Sequence, residues 1–162
     1  MAAHVIHFGE DSCHRLQVLN SAGYSVQNCV TLVQLGSTLS THDDIEAVFF
    51  TEMHALSAER AVSLVRSSSS SPLILFRESE ANLEEKKFDL VIQALTPPNV
   101  WLQYTHDLIE QSKMLRSESS SLIEESRVLR GVSAEVRRKS REEQERSRRQ
   151  RSNDSFIDPW QH

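Results

Sequence analysis

Four consecutive apolar residues, Ala47-Val48-Phe49-Phe50, run straight into Thr51-Glu52. A run this short, apolar at every position and bounded by polar residues, fits a strand buried on both faces. Such strands belong to parallel sheets covered by helices on each side. In open α/β sheets, sites are built at the carboxyl ends of the strands. Positions 51 and 52 are therefore where the chemistry of this chain is to be read.

The rest of the chain repeats the pattern. Strands are expected at His4–Phe8, Tyr24–Cys29, Pro72–Phe76 and Phe88–Ile92, each bounded by polar or turn residues. Helical patterns separate them: Cys13–Ser21 with Ser12 as N-cap, Thr31–Leu39 with Leu32, Val33, Leu35 and Leu39 as its apolar positions, and Ser57–Arg66. The five serines Ser67–Ser71 read as a flexible loop, and Glu80–Lys87 as a short charged helix. A last helix starts near Asn99, behind Pro97-Pro98, with Trp101 and Leu102 facing the core. Five strands alternating with helices predict an α/β fold, a flavodoxin-like parallel sheet of order 2-1-3-4-5.

Charge divides the chain. Residues 1–112 carry 6 Lys/Arg against 14 Asp/Glu, whereas residues 113–152 carry 12 against 7. The expected organisation is a domain over 1–112, a helical extension over 113–152 and a flexible tail over 153–162. No apolar run reaches the ~18 residues of a membrane span. Cys13 and Cys29 lack CxxC spacing and read as reduced thiols, so a cytoplasmic protein is expected. There is no GxGxxG, GxxxxGK[ST] or GxSxG, and His54 and His106 have no HxH or HxxxH companion. Neither a nucleotide-binding nor a hydrolase reading follows, and no metal site or cofactor is expected.

The acidic turn Phe8-Gly9-Glu10-Asp11, the phrase Ser21-Ala22-Gly23-Tyr24-Ser25-Val26 and the proline turn into the last helix carry a resemblance. Over about residues 3–112 the sequence resembles the receiver domain of bacterial two-component response regulators. That resemblance implies a CheY-like fold and a phosphoryl group taken onto an aspartate ending the third strand. It also implies an acidic pair holding Mg²⁺ after strand one, a Ser/Thr after strand four and a Lys after strand five. Position by position, the acidic pair falls on Gly9 and Glu10, with Asp11 next. The acceptor falls on Thr51, or on Glu52 if the register slips by one. The Ser/Thr place falls near Arg77 and the Lys place near Ala94. The reading is a pseudo-receiver without an acceptor aspartate or Mg²⁺, its vestigial pocket lined by Glu10, Asp11, Thr51, Glu52 and Arg77. Its partners would be proteins, a histidine kinase or another signalling protein. A phospho-receiver using displaced residues is the alternative.

The rear of the chain has its own repeat. Ser112, Ser119, Ser126, Ser133, Ser140 and Ser147 recur every seven residues, and Leu108, Leu115, Leu122, Leu129 and Val136 form a second row. A heptad with Leu at d and Ser at a predicts a coiled-coil-like helix, running from about Asn99 to Arg151, and a homodimer. Arg137-Arg138-Lys139-Ser140-Arg141 raises nucleic acid as a second alternative, but Glu142, Glu143 and Glu145 interrupt the basic run, so a solvated helix is expected. Phe156 to Trp160 reads either as a docking peptide or as a disordered tail.

Overall fold

The computed structural model describes residues 3–11, 13–42, 44–51, 55–77 and 85–154. Five strands form one parallel sheet: β1 (His4–Phe8), β2 (Ser25–Cys29), β3 (Ile45–Thr51), β4 (Leu73–Arg77) and β5 (Leu90–Gln93). Their order is β2-β1-β3-β4-β5, the order expected from the alternation of apolar runs and helices. Helices α1 (Arg15–Ser21), α2 (Leu32–Thr41), α3 (Ala55–Ser68) and α4 (Pro98–Asp154) connect and follow them, with a short 3₁₀ turn at Glu85–Lys87. The predicted N-cap Ser12 and most of the charged helix 80–87 lie outside the described residues.

Successive strand residues point to opposite faces, so each central strand feeds two cores. Ile6, Phe8, Val48, Phe50, Leu73 and Leu75 are buried on the face covered by α2 and α3, with Leu35, Leu39, Ala61 and Val65. Val5, Ala47, Phe49, Ile74 and Phe76 are buried on the other, with Leu19 of α1 and Trp101 and Ile109 of α4. Each large side chain fully buried in this way contributes roughly 1.5–3 kcal/mol. This double burial is why the central strand carries no polar residue between Ala47 and Phe50.

Local chemistry sets the ends of the elements. Thr31 and Gln34 form a reciprocal capping box at the start of α2. Val33, expected among the apolar positions of that helix, is 83% exposed: the buried stripe passes through Leu35 and Leu39 and leaves it on the outer side. The serine run is not a free loop. Ser67 and Ser68 finish α3, and Ser71 is fully buried. Its hydroxyl donates to the Ile45 carbonyl at 2.5 Å, and its amide donates to Ser69 Oγ at 3.0 Å. Composition alone hides such hydrogen bonding, because serine satisfies backbone groups in turns as readily as it solvates loops.

By internal contacts the chain divides into two units, residues 1–114 and 115–162. In the first, Trp101, Thr105 and Ile109 of α4 are buried, and Lys113 pairs with Glu46 and Glu110 at 3.0 and 3.1 Å. The hydrogen bond to Glu46 holds the Lys113 ammonium above its ordinary pKa. Burial and the neighbouring Glu46 likewise raise the Tyr24 phenol. In the second unit the helix continues to Asp154, and no described residue from 117 to 151 is buried.

Candidate functional site

The carboxyl ends of β1 and β3 place Gly9 beside Thr51. Gly9 has φ +119°, and a Cβ built on it would lie 2.0 Å from Thr51 Oγ1. A side chain at 9 and this threonine cannot coexist without rebuilding the strand end. Thr51 is buried, and its hydroxyl donates to the Phe8 carbonyl at 3.4 Å, while the Gly9 amide donates to the Cys29 carbonyl at 2.9 Å. Thr51 thus occupies the space that a longer side chain at position 9 would take.

The neighbouring carboxylates are placed differently from one another. Asp11 accepts the Arg15 amide on Oδ1 at 2.7 Å and the Leu16 amide on Oδ2 at 3.2 Å. It caps α1, whose first residue follows His14 in the left-handed conformation. With both oxygens turned to backbone donors, Asp11 holds the first turn of α1 at the rim of the expected pocket. Glu10 is exposed. Arg77 ends β4 beside Gln93 and forms an ion pair with Glu85. Glu52, the alternative acceptor position, lies outside the described residues, as does His54. A Mg²⁺ ion requires several converging oxygen ligands. The described residues here, a neutral threonine, a glycine, the exposed Glu10 and an Asp11 whose two oxygens accept α1 amides, do not fit such a site.

Two buried polar residues, Arg15 and His7, stand beside Asp11. The Arg15 guanidinium lies 4.2 Å from the centroid of the Phe76 ring. That ring in turn stacks on Phe49 at 5.5 Å and meets Trp101 edge-on at 5.2 Å. A cation over an aromatic face is worth on the order of 2 kcal/mol when desolvated. His7 is fully buried, and its Nδ1 lies 3.1 Å from Asn28 Oδ1. Burial lowers its pKa below 6.5, against the raising influence of the Asn28 hydrogen bond and of Asp11, with Arg15 lowering it further. The strand end is thus occupied by a hydroxyl, a capping carboxylate and a guanidinium seated on aromatic rings. Nothing in single-residue patterning marks Arg15 or His7 as interior; their partners come from strands 21 to 61 residues away.

The second candidate surface is on the long helix. Leu115, Leu122, Leu129 and Val136 are 57–59% exposed, and Ile123, Val128 and Val132 are exposed with them. Leu108, grouped with this row by its spacing, packs instead against the core beside Trp101 and Ile109. It lies within the part of α4 that the sheet covers, so the free row starts at Leu115. Further along, Arg138 donates to Glu135 at 2.7 Å and to Glu142 at 3.0 Å, and Lys139 lies 3.7 Å from Glu135. These carboxylates also raise the Arg138 pKa, that of Glu135 most strongly.

The sheet order and the crossing helices can be matched to solved structures. The chain is similar to an adenylate cyclase structure from Rhodopirellula baltica (TM-score 0.63, 11% identity, 75% of this chain and 98% of that one). It is also similar to a response regulator receiver protein from Sinorhizobium medicae (TM-score 0.51, 14% identity, 68% and 97%). A CheY-like receiver domain from Methylobacillus flagellatus gives a TM-score of 0.55 at 12% identity, covering 67% and 99%. The fold is that of a receiver domain. No family profile matches the sequence, and no curated protein sequence does. Among the described residues, no helix of this receiver-fold chain is long and apolar enough to cross a membrane.

Proposed function

We propose that this chain is a non-enzymatic signalling module: a receiver fold that takes no phosphoryl group and acts through protein–protein contacts, pairing with a second copy through residues 115–136. The observation that carries the first part is the Gly9–Thr51 contact. Phosphoryl transfer to a receiver needs a carboxylate acceptor and a cation to neutralise the transferring oxygens. Here the acceptor position holds a threonine whose hydroxyl is bonded to the Phe8 carbonyl, and among the described residues no base is hydrogen-bonded to it. The conformation of the fold is then set by its own side chains or by a bound partner.

The test is incubation of the full chain with acetyl phosphate and Mg²⁺, read by intact-mass spectrometry. No phosphoryl adduct is expected. An adduct on Thr51 or Glu52 would replace this reading with that of a phospho-receiver using displaced residues. The ion pairs of Arg138 with Glu135 and Glu142 support a solvated charged helix over a phosphate-binding one.

A further inference from the structure

At the opposite end of the sheet, three residues from separate elements come together. His4 opens β1, His42 is the C-cap of α2 and Asp44 immediately precedes β3. Their placement is fixed by backbone. His4 pairs with Ile45 before the register shifts at Val5, which sets Asp44 beside it, and the His42 amide donates to the Thr38 carbonyl at 3.1 Å. One ligand atom from each of the three lies within 4.8 Å of the others, and the imidazole centroids of His4 and His42 are 5.2 Å apart.

We propose that His4, His42 and Asp44 form a binding site for a borderline divalent transition-metal ion, Zn²⁺ in the first instance. His4 Nδ1 and Asp44 Oδ2 stand 3.6 Å apart. That is longer than a charge-assisted hydrogen bond, about 2.7–2.9 Å. It matches the ligand–ligand edge of a tetrahedral site, about 3.3–3.6 Å for metal–ligand distances near 2.0–2.2 Å. Two imidazoles and one carboxylate suit zinc chemistry and are poor for Mg²⁺ or Ca²⁺, which take all-oxygen sets. All three side chains are partly or well exposed, so small rotamer changes bring the third ligand atom into the sphere, and water completes it. Histidine spacing in the sequence gives no sign of this, because His4 and His42 are 38 positions apart and meet only through the β1–β3 pairing. A bound ion would tie the α2–β3 junction to the start of β1 and stabilise the fold by mass action.

The test is calorimetric titration of the full, untagged chain with Zn²⁺, repeated with Co²⁺ to read coordination from its visible spectrum. One ion per chain with micromolar affinity and a zinc-dependent rise in Tm are expected. H42A and D44N should each weaken binding by about tenfold or more and abolish the rise in Tm. H106A, at an exposed histidine outside the cluster, should change neither. The proposal is overturned if zinc does not bind at tens of micromolar, or if H42A and D44N bind it as the unaltered chain does. Stability of the metal-free variants, followed by circular dichroism, separates loss of a ligand from loss of the fold.

Discussion

Gly9 and Thr51 act as one unit. Gly9→Ala imposes a left-handed φ on an alanine and drives its Cβ onto Thr51 Oγ1. The expected loss is about 2 kcal/mol or more, measured by urea unfolding; an effect below about 0.5 kcal/mol would contradict the described strand end. Asp11→Ala removes the acceptor for two α1 amides and should cost about 1 kcal/mol on the same measurement. His7 gives a pH dependence whose sign follows from burial. Its folded pKa lies below 6.5, so in the window between that value and about 6.5 the unfolded chain binds more protons. Stability should therefore fall as pH drops below about 6.5. His7→Phe, which keeps the site filled and removes the titration, should flatten that fall relative to the unaltered chain. Equal slopes for the two would show that His7 does not carry it.

Elements were far more legible in the sequence than the site they surround. β1 is readable to the residue, because Val5, Ile6 and Phe8 place apolar side chains on both parities and Gly9 stops the run. The strand order followed from alternation alone, since parallel strands joined by helices leave few topologies. What patterning could not give were contacts between distant elements: Asp11 turned to the amides of α1, Arg15 over Phe76, Ser71 on the Ile45 carbonyl. Leu108 shows the same limit within one helix, as its heptad position matches the exposed row while the sheet covers it. For the row from Leu115 to Val136, charge chooses a direction. With Leu at d, the flanking e positions hold Arg116, Ile123, Arg130 and Arg137 and the g positions hold Glu118, Glu125 and Val132. Parallel pairing sets Glu125 against Arg130 of the other copy, whereas antiparallel pairing sets like charges together. Ser119→Cys in a Cys13→Ser background should therefore cross-link to itself on mild oxidation, because only parallel pairing brings that off-centre a position against its own copy. Failure to cross-link, with dimerisation intact, would indicate the antiparallel arrangement.

Taken as a whole molecule, the chain joins a unit with two filled cores to a helical stretch that buries nothing from 117 to 151. An exposed apolar row of this length is what the proposed pairing requires, and serine at every a position keeps its seam narrow. The pairing should be modest in strength and should depend on the leucines. The measurement that tests this most directly is the solution mass of the full chain by light scattering after size exclusion, beside that of L122K/L129K. Both substituted positions are exposed, so the receiver unit should stay folded, as circular dichroism can verify. A dimer is expected for the unaltered chain and a monomer for the variant. A monomeric unaltered chain at tens of micromolar, or a variant that remains dimeric, would contradict pairing through the helix.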